Sequence, residues 1–314
     1  MMESSLTSVS ALRSSTDIAP SVIGTAAARR IALCHLDSLR CLPALNALFT
    51  QCGDRIGLVV ASRRFGSRHG GFWSQLCRSV GRSGFRFTFW LGFDLIAPGV
   101  AQRLSRVVRL FTGCPPTLCT LRELAASRGA KLVAAADVNS DNITSALAAY
   151  QPDIVVVFHF DQILHRGVIA AAPAGILNIH PSLLPAFRGP CPSFWVLAHG
   201  EVRSGVTVHR IEDESIDAGP PVACAALDLQ RPLSVSELDS SLFTRGVQLF
   251  IEGSTFGWVA SSSTGPDRKS YFSFPDRAAV RAARRRGVRL WRFSHVMRLL
   301  AAAIGIWQWR NTKL

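Results

Sequence analysis

The chain has 314 residues, 48% of them hydrophobic, with 35 Lys and Arg against 21 Asp and Glu and a net charge of +14. That is room for one large α/β domain with an appendage, and it excludes disorder of the whole chain. The cations are nearly all arginine, and the basic balance favours anionic partners: nucleic acid, an anionic membrane surface or a polyanionic cofactor.

In chain order, residues 1–29 are rich in Ser, Thr and Ala. They lack the apolar core of a secretory signal and carry Glu3 and Asp17, so they read as a disordered leader. From Arg30 on, Ile31 to Cys34 predicts a short buried strand, Leu42 to Phe49 a helix, and Ile56 to Ala61 a second strand. Lys131 to Ala135 and Ile154 to Phe158 predict two more strands, with helical stretches at 117–128 and 141–150. Continuous apolar runs alternating with amphipathic helices predict an α/β fold, a Rossmann-like doubly wound and mainly parallel sheet. Gly175 to His180, Gly205 to Ile211 and Pro221 to Leu229 predict further strands, and Ser193 to His199 a helix. Ser234 followed by Glu237 is a capping box that opens a helix to about Glu252. A polar gap at Ser261 to Lys269 closes the main domain.

The expected organisation is therefore a leader at 1–29, one α/β domain at 30–260 and a helical, basic, partly apolar C-terminal extension at 261–314. Residues 63–112 form an insertion that is first basic and then aromatic, with Phe85, Phe87, Phe89, Trp90 and Phe93. Eight cysteines are scattered without a CxxC pair, which predicts a reduced, cytoplasmic protein with no zinc or thioredoxin signature. No run of about 20 apolar residues predicts a membrane span.

The segment GILNIHPSLLPAFRGP, residues 175–190, concentrates the chemistry. Alternate strand side chains share a face, so Asn178 and His180 project together from the carboxyl end of a parallel strand. That edge is where open α/β sheets place ligands. Pro181 ends the ladder there. The strand GVTVH at 205–209 leads into a turn crowded with Glu212, Asp213, Glu214 and Asp217, among which spacing alone does not choose.

These two blocks resemble the signature of the 10-formyltetrahydrofolate-dependent formyltransferases: N-x-H-P-S-L-L-P with a following Arg and Gly, then G-V-T-V-H, an acidic turn and D-x-G. The family includes glycinamide ribonucleotide, methionyl-tRNA and sugar-nucleotide formyltransferases and a formyltetrahydrofolate hydrolase. The resemblance implies catalytic roles for Asn178, His180 and Asp217. It implies a folate pocket near Phe160, Ile163, Leu164, Asp213 and Ile216, gripped mainly through backbone groups. It implies 10-formyltetrahydrofolate as co-substrate, a primary amine as acceptor, and no metal. Cys191 gets no role from it. The acceptor stays open. The loop 35–41 lacks the glycines that cradle phosphate in glycinamide ribonucleotide relatives. The tail from 261 does not read as a β-rich transfer RNA-binding domain, so the expected acceptor is a small amine, nearest to an amino sugar, and transfer RNA is not expected. A hydrolase, with water in place of the amine, and a non-catalytic folate-binding or membrane-associated scaffold are the alternatives.

The last expectation concerns His295 to Trp309, an apolar run after clustered arginines. Its length suits a peripheral position at the headgroups of an anionic inner membrane face, with Trp307 and Trp309 at the interface and the aromatic stretch at 81–94 as a second contact. The alternative is that both segments pack on each other and complete the core. Nothing in the sequence sets an oligomeric state.

Overall fold

A computed structural model describes residues 30–63, 71–230, 232–258 and 270–308. The leader, the polar gap at 261–269 and Trp309 lie outside the described residues. Among the described residues seven strands form one sheet: β1 (Ile31–His35), β2 (Ile56–Ser62), β3 (Lys131–Ala135), β4 (Ile154–Phe158), β5 (Ile176–His180), β6 (Arg203–Arg210) and β7 (Pro221–Asp228). Their order is β3-β2-β1-β4-β5-β6-β7. The first five run parallel, and β6 and β7 are antiparallel additions beside β5. The chain thus winds outward from β1 and returns to β4 on its other side, which makes the β1–β4 junction a topological switch point. β1 and β4 are buried at every residue, as strands covered on both faces must be.

Ten helices accompany the sheet among the described residues: α1 (Leu42–Cys52), α2 (Gly71–Ser83), α3 (Phe85–Thr112), α4 (Leu121–Ser127), α5 (Asp141–Tyr150), α6 (Arg166–Ala170), α7 (Pro192–His199), α8 (Val235–Phe256), α9 (Arg277–Arg285) and α10 (Phe293–Ile304). One apolar layer joins α1, α4 and α8 to the sheet, and a second joins α5 and α6 to its other face. The expected doubly wound α/β arrangement is what the strands and helices build. Gly246 lets α8 approach closely: a Cβ there would lie 2.3 Å from Ile179 of β5 and 2.7 Å from Val206 of β6. The capping box at Ser234 and Glu237 opens α8 as expected. The helix expected at 117–128 starts only at Leu121, because Thr120 and Glu123 form a second capping box.

The described part of the insertion, from residue 71, is helical. α3 runs for 28 residues through Pro98, which supplies no backbone N–H to the ladder. Its inner face packs through Phe87 and Trp90 on Phe194, Val235 and Ala283, and through Ala97 and Ala101 on Leu39, Leu42 and Leu118. The apolar residues of the tail are largely used in the same contact: Val296, Leu299, Ala302 and Ala303 of α10 are buried beside α3. This is the packing of the two segments on each other that the alternative expected, and it takes that stripe of α10 into the core while Phe293, Met297 and Trp307 stay exposed.

Candidate active site

β5 places Asn178 and His180 on one face, as alternation requires, and pairs them with His209 and Thr207 of β6. The turn after β6 then folds back, with Asp217 in the left-handed region at φ 49°. Asp217 gathers the group. Its Oδ1 accepts from Asn178 Nδ2 at 3.0 Å and lies 3.4 Å from His180 Nδ1 and 3.6 Å from His209 Nε2. Its Oδ2 accepts from the Gly189 N–H at 2.9 Å. The three residues that the sequence singled out therefore meet at one carboxylate. His180 is 5% exposed, and the Asp217 side chain is 11% exposed.

The electrostatics follow from this packing. Burial pushes the Asp217 carboxyl up, but its neighbours, His180 first among them and the Gly189 N–H included, outweigh it and hold it down at about 2. His180 is held below its ordinary 6.5, chiefly by burial, against the attraction of Asp217. The ring has an acceptor at each nitrogen: Asp217 at Nδ1 and the Phe187 carbonyl at Nε2, 3.0 Å away. A neutral ring has one proton for two acceptors, so geometry favours the second proton while burial opposes it. That balance suits a group that must take up and release a proton.

His209 was not singled out in the sequence. Its Nδ1 faces the Arg210 carbonyl at 2.9 Å, which leaves Nε2 to accept from Asn178 Nδ2 at 3.0 Å. Both protons of the Asn178 amide are thus engaged, one by Asp217 and one by His209. The loop 181–189 is braced from the C-terminal side: Arg188 N–H donates to the Ser270 carbonyl, Phe272 N–H to the Arg188 carbonyl, and Phe187 stacks on Phe272 at 5.6 Å. Gly189, at φ 94°, is required there, since a Cβ would lie 2.2 Å from the Phe272 carbonyl oxygen. Arg188 holds the acidic turn through two hydrogen bonds to the Ile216 carbonyl, at 2.9 and 2.7 Å.

The five residues expected around a folate are distributed unevenly. Leu164 is buried, and Phe160 packs beside it on the α5–α6 core. Ile163 is exposed, with its carbonyl accepting from Asn139. Asp213 is exposed and caps its own turn through the Ser215 N–H. Ile216 supplies the carbonyl that Arg188 grips. The two loops that carry these residues are joined where Arg166 N–H donates to Glu214. A cavity of about 460 Å³ opens beside them, lined by Arg166, Ile169 and Glu212 to Ser215. It reaches Asp213 and none of Asn178, His180 or Asp217. Among the described residues no group of three or more His, Cys, Asp or Glu side chains is arranged to hold a metal ion.

Behind the site lies a buried ionic group. Arg40 pairs with Asp94 of α3 at 2.5 Å and with Asp239 of α8 at 3.0 Å, and its guanidinium donates to His159, at the end of β4, at 2.9 Å. The loop after β1 is therefore filled from within by an insertion carboxylate.

The same stretch of chain is recognisable by comparison. Residues 110–253 match the formyl transferase family. The matched stretch holds β3 to β7 and all of Asn178, His180, His209 and Asp217, whereas α9, α10 and nearly all of α3 lie outside it. A methionyl-tRNA formyltransferase of Chloroflexus aggregans is 42% identical over 110 residues, 35% of each chain. The chain thus spans about a third of the length of this curated relative. Among solved structures, glycinamide ribonucleotide transformylase 1 from Symbiobacterium toebii has 21% identity and a TM-score of 0.47, covering 73% of this chain and 86% of its own. An N-formyltransferase from Helicobacter canadensis, solved with folinic acid and dTDP-3-aminofucose, has 16% identity and a TM-score of 0.48, covering 78% and 71%.

Proposed function

We propose that the chain transfers a formyl group from 10-formyltetrahydrofolate to a primary amine. The observation that carries this reading is the meeting of Asn178, His180 and Asp217 at a single buried carboxylate, within the stretch that matches the formyl transferase family. His180 takes the proton that the amine loses as its nitrogen bonds to the formyl carbon. Asn178 turns one N–H from His209 to the oxyanion that forms as the carbonyl π pair moves onto oxygen. His180 then returns the proton to the folate nitrogen as the carbon–nitrogen bond breaks, leaving a formamide and tetrahydrofolate. Asp217 stays ionised throughout and stabilises the imidazolium between the two transfers. None of these steps calls for a metal or a covalent intermediate. The backbone of 159–165 and 212–217 is the proposed folate contact, with Phe160 and Leu164 as its apolar support.

The acceptor is proposed to be a small amine such as an amino sugar. The methionyl-tRNA named for the curated relatives is the competing acceptor, and it enters the test on equal terms. Purified protein is supplied with 10-formyltetrahydrofolate and, separately, amino sugar nucleotides, simple amines, methionyl-tRNA or no acceptor, and tetrahydrofolate release is followed. Release that requires an amino sugar supports the reading. Release only with methionyl-tRNA replaces the acceptor, and equal release without any acceptor makes the protein a hydrolase.

A further inference from the structure

The outer face of α3 carries an apolar stripe from end to end, broken by Arg103. Phe85, Phe89, Ile96, Val100, Val107 and Leu110 recur at steps of three, four or seven residues, which sets them in one stripe, and they are 49% to 84% exposed. α10 runs alongside in the same direction, with Trp291 before it against Phe89 and Phe93, and Gly305 after it against the Cys114 and Pro115 backbone. It carries exposed Phe293 and Met297. Exposed apolar surface this continuous marks an interaction site.

The charges around it choose the partner. α3 and the two helices packed along it, α2 and α10, hold seven arginines and one acid, Asp94, which is buried against Arg40. Arg103 sits within the stripe, with Arg106 and Arg109 beside it. A second copy of this face would bring like charges together without carboxylates to neutralise them, whereas anionic headgroups neutralise them directly. No helix among the described residues is long and apolar enough to cross a bilayer. A 28-residue helix lying flat covers about 42 Å of surface.

We propose that α3, flanked by α10, docks the protein on an anionic membrane surface, with the stripe set among the acyl chains at the headgroup boundary and the arginines on the lipid phosphates. The inner face of α3 holds Arg40 at the carboxyl edge of the sheet, so docking turns that edge towards the bilayer. The inference stands independently of formyl transfer.

The test is sedimentation of the full chain with phosphatidylcholine vesicles, with and without phosphatidylglycerol, at low and high salt. Wild type is expected to pellet only with phosphatidylglycerol and to be released by salt. L110E/F111E, at two exposed positions, is expected to partition about tenfold less or weaker, as is R103E/R106E. Circular dichroism and the thermal transition of both variants are expected to match wild type, which separates lost docking from lost folding. Wild type that stays in the supernatant with anionic vesicles at low salt overturns the proposal. So does pelleting that the substitutions leave unchanged, or a dimer in solution that L110E/F111E dissociates while wild type ignores vesicles.

Discussion

At His180 the two nitrogens face two acceptors, and the proposed chemistry depends on which of them holds a proton. His180→Ala and Asn178→Ala are each expected to lower turnover by roughly a hundredfold or more, with unfolding midpoints near wild type. Steady-state rates on the folded variants check this, and full turnover by His180→Ala would remove the histidine from the mechanism. The sign of the pH effect is fixed by the same contacts. Asp217 raises the His180 pKa while burial lowers it, so Asp217→Asn leaves burial less opposed. The acid limb of the pH–rate profile is expected below 6.5 in wild type and at lower pH still in the residual activity of Asp217→Asn. Asn178 and His180 were legible in the sequence because strand alternation puts both on one face. Asp217 was legible only through the resemblance, since four acids crowd its turn. His209 was missed, although the same parity argument applied to GVTVH places Thr207 and His209 together. What the sequence lacked was the antiparallel register that sets His209 opposite Asn178.

Among the elements, the strands were the most legible, since runs such as IVVVF have no other reading when helices alternate with them. α3 was the least. Pro98, Gly92 and Gly99 punctuate it, and apolar residues occur on its outer as well as its inner side, so no single periodic stripe marks it. Its inner anchor, Asp94, leads to a prediction. Asp94→Ala leaves the buried Arg40 with one carboxylate fewer and is expected to cost about 3–5 kcal/mol, measured by urea unfolding. A loss under about 1 kcal/mol would show that Asp239 alone satisfies the guanidinium. The segment 270–274 gives a second. Phe272 stacks on Phe187 at 5.6 Å and on Trp195 at 4.8 Å. Phe272→Ala is expected to lower kcat between roughly tenfold and a hundredfold by loosening the loop that carries Gly189, with stability changed far less. Unchanged kcat would mean that the loop holds its shape unaided.

For the molecule as a whole, the proposed folate site predicts linkage. A reduced folate at 100 times its Kd is expected to add about 2.7 kcal/mol of stability and to raise Tm progressively with concentration. A well-folded sample whose Tm ignores millimolar folate would leave the scaffold alternative. The brace on the loop 181–189 also bears on the order in which the site is made. Every side chain that meets at Asp217 has left the ribosome once residue 217 has emerged, and the sheet that holds them is complete at Asp228. Yet the Phe187 N–H and the Arg188 N–H and carbonyl find their partners in Ser270 and Phe272. A nascent chain halted between β7 and Ser270 would hold the side chains proposed to react with their loop unset, so on that proposal competence arrives late in synthesis, after the fold.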